Sequence, residues 1–286
     1  MAKDLLRYLE THYQGFSKGQ KAIADYIRGH YEKAAFMTAA RLGAASGTSE
    51  STVVRFASEI GYKGYPELAE ALREMVRNKL TSTERMAITD QTYREEDMVS
   101  KVMNADAESV RETLSGLDKS AFHDAVEAIL GAGHIYVIGV RSSSAPASFL
   151  SFYLNLMLPG VKQISSNTAS EVFEQLLHAG KGDVVVGISY PRYSRRTVKA
   201  VMLARSQGAK TIAITDSKTS PLAEAADLAL LARGEMVSFV DSLIAPMSLI
   251  NALIVAVGMR RKDEVYSNFE KLEKIWEEYE VYEKIK

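Results

Sequence analysis

The chain has 286 residues, 47% hydrophobic and 25% charged, the composition of an ordinary globular protein with room for about two domains. It holds no cysteine, which excludes disulfides and thiolate-bound metals, and no apolar run near the ~18 residues that span a bilayer. With no secretory signal in MAKDLLRYLE, a cytoplasmic setting without a membrane partner is expected. The net charge of −1 is uneven: residues 1–80 carry 12 Lys and Arg against 9 Asp and Glu (net +3), and the remainder 23 against 27 (net −4). A mildly basic N-terminal part on an acidic body fits contact with nucleic acid.

The first eighty residues read as helical. Ser17 and Gln20 have the spacing of a capping box, followed by Ile23, Tyr26 and Ile27 on one face and Gly29 as a stop. A short helix is expected over Thr38 to Ala45, a turn over residues 46–48, and a third helix over Ser49 to Ile60. In that third helix Val53, Phe56, Ala57 and Ile60 repeat at core spacing, which turns Ser49, Glu50, Ser51, Thr52, Arg55 and Glu59 outward. Gly61 ends it, and Tyr65-Pro66 opens a fourth helix whose inner face is Leu68, Leu72, Met75 and Val76. A short helix, a tight glycine turn and a helix with small hydroxylic residues at its start form a helix-turn-helix pattern. Small side chains let the helix end enter a major groove, Ser and Thr reach phosphates or base edges, and Arg55 reaches further. A helical hairpin with a polar end would show the same spacing.

The particular residues go beyond spacing. Ala44, Gly47, Ser49, Ser51, Thr52, Val53, Arg55 and Phe56, followed by Gly61, Tyr62, Lys63, Gly64 and Tyr65, resemble the N-terminal helix-turn-helix domain of the RpiR/MurR family of sugar-responsive transcription regulators. The resemblance implies operator DNA as partner and Ser49, Ser51, Thr52 and Arg55 as its contacts. Lys63 and Tyr65 could touch phosphates just beyond that helix, Tyr65 equally well being turn packing.

Residues 79–105 are polar and weakly periodic, and read as a linker leading into a helix near Asp97 to Leu114. Apolar strands then alternate with helical stretches: His134–Ile138, Val161–Ile164, Asp183–Ile188, Lys210–Thr215 and Leu228–Ala232, with a long helix from Val240 to Met259. That alternation predicts a parallel five-stranded sheet flanked by helices. In the last 24 residues Val265, Phe269, Leu272, Trp276 and Tyr279 form a heptad-like stripe, suited to docking on its own domain or to pairing with a second subunit.

Chemistry concentrates at strand ends. The run Val184, Val185, Val186 and Ile188 stops at a polar loop, Ser189 to Ser194, and a helix follows with Val198, Val201 and Met202 expected inward. Free N–H groups and the helix dipole make such a junction an anion pocket. Arg195 and Arg196 fall in that helix's first turn, with Arg192 just before it, where the dipole disfavours cations; an anion among them would account for this, as would solvation or a subunit contact. The loop after the first strand offers Arg141, Ser142, Ser143 and Ser144, more hydroxyls than capping needs. Ser220-Pro221 reads as an ordinary cap.

These loops, with GDVVVGIS and GAKTIAITDSKTSPLAEAADLAL, resemble the sugar isomerase (SIS) domain that follows the helix-turn-helix in RpiR proteins. The resemblance implies a phosphosugar held by Ser142, Ser144, Ser189 and Ser194, and a homodimer or homotetramer. Where that family commonly has S-x-S-G-x-[ST], this chain has Pro191 in place of a hydroxyl and Arg192 in place of the glycine. The expectation is that the Arg192 guanidinium supplies what the backbone nest loses, so the effector is a phosphorylated sugar or a related anion.

Other chemistries fit poorly. A G-x-S elbow at Ser189 needs a later histidine, and His12, His30, His123, His134 and His178 all precede it. No histidine pair has metal spacing, and one glycine, Gly139, follows the first strand, which gives no support to a nicotinamide site. A sugar-phosphate isomerase using Glu171 or Glu174 is the enzyme alternative, and a protein-binding scaffold the other. The expectation is therefore a non-enzymatic regulator without cofactor or metal. It comprises an all-α helix-turn-helix domain over 1–78, a linker over 79–105 and an α/β SIS domain over 106–286.

Overall fold

The computed structural model describes residues 5–79, 81, 83–86, 97–165, 168–233 and 240–283. The chain divides into two compact units, Met1–Ala87 and Ile88–Lys286.

The first unit is helical: α1 (Leu5–His12), α2 (Lys18–Gly29), α3 (Tyr31–Ala34), α4 (Ala39–Ser46), α5 (Glu50–Glu59) and α6 (Tyr65–Lys79). The Ser17–Gln20 capping box starts α2, Thr38 caps α4 and Ser49 caps α5. Each side-chain cap satisfies an N–H group that has no partner inside its helix, for about 1 kcal/mol. The expected inner faces are buried: Val53, Phe56, Ala57 and Ile60 on α5, and Leu68, Leu72, Met75 and Val76 on α6. The unit reaches past residue 79. Thr81 and Glu84 bond reciprocally, the Thr81 N–H to the carboxylate at 2.7 Å and the Glu84 N–H to the hydroxyl at 3.3 Å, and start a helical turn over 83–86. Arg85 in that turn is buried. This capping box stands in the sequence inside the stretch assigned to a linker.

The second unit opens with α7 (Met98–Ser115) and α8 (Lys119–Leu130). The helix expected near Asp97 to Leu114 is α7, so residues 98–105 of the stretch read as a linker are helical and belong to this unit; residues 80, 82 and 87–96 of that stretch lie outside the described residues. An open sheet follows: β1 (Ile135–Gly139), α9 (Ser144–Met157), β2 (Val161–Ile164), α10 (Ala169–Gln175), β3 (Val184–Ile188), α11 (Arg195–Ser206), β4 (Lys210–Thr215), α12 (Pro221–Ala225) and β5 (Leu228–Leu231). The strands are parallel in the order β2-β1-β3-β4-β5. Helices α13 (Ile244–Arg260) and α14 (Lys262–Glu278) close the unit.

Alternate residues of the strands feed two cores. Val137, Val186, Ile188 and Ile214 pack with α8, α9 and α13 on one face; Ile138, Val185 and Ala213 pack with α11 and α12 on the other. Being covered on both faces, β1 and β3 are buried throughout, which is why they read as continuous apolar runs. The inner face of α11 departs from expectation. Thr197, Ala200, Val201 and Ala204 are buried, whereas Met202 is 56% exposed. Small residues let α11 approach β3 so closely that a Cβ on Gly187 would lie 2.6 Å from Val201. A methionine would hold the helix away.

The long helix begins at Ile244, four residues later than its pattern suggested. Among the described residues no single helix is long and apolar enough to cross a membrane. The stripe on α14 is half-buried at Val265, Phe269, Leu272 and Trp276 and touches α9 and α13, while Tyr279 is exposed. Residues 284–286 of the expected terminal helix lie outside the described residues.

Candidate functional site

The topology locates a crevice. From β1 the chain passes through α9 on one face to β2; from β3 it passes through α11 on the other face to β4. Since β1 and β3 are neighbours, paired Gly139 to Ile188, their following loops diverge above the sheet, where open α/β sheets bind ligands. Arg141, Ser142 and Ser144 follow β1 and Ser189, Arg192 and Ser194 follow β3, so the sequence-predicted residues lie at the same edge of the sheet, on the loops after neighbouring strands.

The first wall depends on Gly139. A Cβ there would lie 2.1 Å from the Ser143 carbonyl oxygen, so only glycine lets residues 141–143 coil back over the strand end. Arg141 takes a left-handed backbone, φ 60°, and its carbonyl accepts the Ser144 hydroxyl at 2.6 Å. Ser143 is buried, and Arg141, Ser142 and Ser144 are exposed at the start of α9.

In the second wall Ser189 is buried and its oxygen accepts the Ser194 N–H at 3.0 Å, drawing the loop closed. Ser194 caps α11 by accepting the Thr197 N–H at 3.3 Å. Arg192 lies between them at φ 66°, so the left-handed geometry expected of a glycine persists with an arginine in it. The loop is braced sideways by the Tyr193 hydroxyl, which donates to Asp216 Oδ1 at 2.9 Å. Burial pushes the Tyr190 phenol well above its ordinary value, and the Asp216 carboxylate adds to this; it stays protonated. Sequence reasoning missed Gly139, Tyr193 and Asp216. Gly139 was visible as the residue ending an apolar strand, but what it makes room for was not.

These walls offer hydroxyls, N–H groups at two helix starts and the exposed guanidiniums of Arg141, Arg192 and Arg195, a donor-rich set of the kind that binds anions. Glu171 and Glu174 are exposed on α10, and His134, whose Nδ1 lies 3.1 Å from Asp183, sits at the opposite end of the sheet. In the third loop Thr215 bonds Ser220, and Ser220 caps α12 as expected. No group of three or more potential metal-binding side chains occurs among the described residues.

In the first unit, Gly47 (φ 67°) turns α4 into α5, and Gly43 has only 3.0 Å of room toward the Ser49 backbone, so the two helices meet closely. Ser49 oxygen accepts the Thr52 N–H at 3.2 Å and lies 2.8 Å from the Thr52 hydroxyl: both residues shape the helix start. Ser51 and Arg55 are exposed, with Arg55 Nε donating to the Ser51 carbonyl at 3.3 Å. Lys63 is exposed, its N–H tied to the Glu67 carboxylate. Tyr65 is buried and its hydroxyl donates to the Met37 carbonyl at 2.7 Å, so turn packing accounts for it. Gly19 lies against Thr52, which brings exposed Lys18, unremarked in the sequence, beside the start of α5.

Comparison with known proteins follows both halves. Residues 3–79 match the helix-turn-helix domain of the rpiR family and residues 128–256 match the SIS domain. An HTH-type transcriptional regulator of Caldanaerobacter subterraneus subsp. tengcongensis is 27% identical over 277 residues, covering 92% of this chain and 93% of the relative. The sugar isomerase domain of an RpiR transcription factor from Sphaerobacter thermophilus superimposes with a TM-score of 0.60 at 29% identity, covering 62% of this chain and 99% of that one. The Vibrio vulnificus NanR protein complexed with ManNAc-6P does so with a TM-score of 0.59 at 21% identity, covering 96% and 98%. The class is that of helix-turn-helix transcriptional regulators with a SIS domain. Within it, the helix-turn-helix of this chain is of the rpiR family.

Proposed function

We propose that this protein binds operator DNA through Ser49, Ser51, Thr52, Arg55 and Lys63 and regulates carbohydrate metabolism in response to a phosphorylated sugar or related anion. The effector is held by Arg141, Ser142, Ser144, Ser189, Arg192 and Ser194. The observation that carries the reading is the donor-rich edge of the sheet at the ends of β1 and β3, where two arginines occupy left-handed backbone positions. The complex of NanR with ManNAc-6P supports sugar phosphates as the first class to try. The working form is a homodimer or homotetramer, because helix-turn-helix dimers read paired half-sites and Tyr266 on α14 and Tyr279 just past its end are exposed. The effector acts by favouring one arrangement of the DNA-binding units over another.

Thermal unfolding against sugar phosphates, sugar acids and nucleotides tests the crevice. A ligand at about 100 times its dissociation constant adds roughly 2.7 kcal/mol, and Arg192→Ala should weaken the response. Full affinity in Arg192→Ala would remove the arginine from the reading. Anisotropy with genomic fragments tests the other half: affinity should fall linearly in log–log form with salt, and Arg55→Ala should cost tenfold or more, about 1.4 kcal/mol. Absence of salt-dependent binding to any fragment would refute DNA recognition.

A further inference from the structure

A second cavity lies on the same side of the sheet but away from the crevice. It has a volume of about 510 Å³ and sits over the ends of β4 and β5, one and two strands beyond β3 at ~5 Å per strand. That is room for one small metabolite. Its lining carries charges of both signs. Asp216 and Glu112 bring carboxylates, Lys218 and Arg233 bring cations, and Ser115 and Ser217 bring hydroxyls. Three elements converge there: the last turn of α7, the loop after β4 and the residues after β5.

The walls are held in place. Asp216 is 7% exposed, and its Oδ1 accepts the hydroxyls of Tyr193 at 2.9 Å and Thr215 at 3.2 Å, which holds the carboxylate in place. Thr113 is buried, and its hydroxyl accepts the Arg233 N–H at 3.0 Å, which fixes the backbone that carries this guanidinium. Farther along α7, Asp106 Oδ1 accepts the Ser242 hydroxyl, so the helix is pinned to the chain on both sides of residues 234–239.

We propose that this cavity is a second ligand site, taking a small zwitterion such as an amino acid or an amino-sugar acid. The ligand's ammonium group sits on Asp216 and Glu112 and its carboxylate on Lys218 and Arg233. An all-anionic ligand would meet the buried Asp216 charge, and an apolar one would leave the polar walls unsatisfied. A ligand here touches α7, the first described helix of the second unit. It is a second input, joined to the crevice loop through the Tyr193–Asp216 bond.

The probes are glucosaminic acid and the twenty proteinogenic amino acids, added singly to the full-length protein, with the unfolding midpoint and amide hydrogen exchange as readouts. At about 100 times its dissociation constant a bound probe should raise the midpoint by roughly 5 °C or more and slow exchange over 112–116 and 231–233. The response should survive Arg192→Ala, which belongs to the other site, and disappear in Asp216→Asn and in Arg233→Ala. Arg233 is exposed, so its variant keeps the test valid if Asp216→Asn folds poorly. No response to any probe overturns the proposal, as does a response that persists in Arg233→Ala. A response lost in Arg192→Ala alone would assign the probe to the crevice and also overturn it.

Discussion

Gly47, in the turn between α4 and α5, and Arg192, in the loop after β3, share one backbone conformation, with φ of 67° and 66°. At Gly47 the left-handed residue closes a helix: its N–H bonds the Ala44 carbonyl at 3.3 Å and the next N–H, of Thr48, bonds Gly43 at 2.8 Å. Glycine adopts this shape without strain. At Arg192 a Cβ crowds the carbonyl, at roughly 1–2 kcal/mol, and Arg141 across the crevice does the same at φ 60°. One turn is made for stability. The other carries a side chain in a backbone conformation that disfavours one.

The largest expected effect tests whether the crevice depends on its glycine as the helical turn does. Gly139→Ala puts a methyl 2.1 Å from the Ser143 oxygen, and should cost about 2–3 kcal/mol in urea unfolding and abolish the ligand response. An unchanged midpoint would mean that the loop moves freely. Next, Gly47→Ala should destabilise the helical unit by about 1 kcal/mol, whereas Arg192→Gly should leave stability within about 1 kcal/mol or raise it, while weakening anion binding. Equal losses at the two sites would erase the contrast. Within α5, Ser49→Ala should lose about 1 kcal/mol of cap energy, and Ser51→Ala less than about 0.5, so that a DNA-binding defect in Ser51→Ala reports contact alone.

The smallest effect is a control far from both turns. Asp227 accepts the Thr211 N–H at 2.9 Å and hydroxyl at 2.8 Å and pairs with Arg205 Nε at 2.9 Å. Burial raises its carboxyl, but the Thr211 bonds and the Arg205 charge outweigh it and hold the value below the ordinary one. A lowered native value stabilises the fold above the unfolded value, about 4, and that stability fades as pH falls through the native value. Asp227→Asn should therefore be less stable than the parent at neutral pH, with the gap closing in acid. A gap that persists at the acid end would assign the loss to packing.

Much of the architecture was legible in local pattern. Capping residues at Ser17, Thr38 and Ser49 marked helix starts, and β-branched runs marked the strands. The misreadings have one cause: local pattern does not say what lies opposite. Met202 has the spacing of a core residue, yet close packing of Ala200 and Ala204 on β3 turns it outward. Thr81 and Glu84 sit in a polar stretch that reads as linker, but their capping box starts a turn that buries Arg85 in the first unit. Tyr65 could have faced phosphate, and only the position of Met37 shows where its hydroxyl goes.

By itself the sequence determined the helical N-terminal unit, the succession of strands and helices, and the candidate serines and arginines, because these follow from periodicity, capping and residue chemistry within a few neighbours. The tertiary structure decided the rest. It set β1 beside β3 so that residues fifty positions apart form one crevice, coiled residues 141–143 over Gly139, and joined Tyr193 to Asp216. It also brought the end of α7 to the tips of β4 and β5 to enclose the second cavity. Strand order and side-chain contact across it come from packing over long sequence separations, which no local window contains.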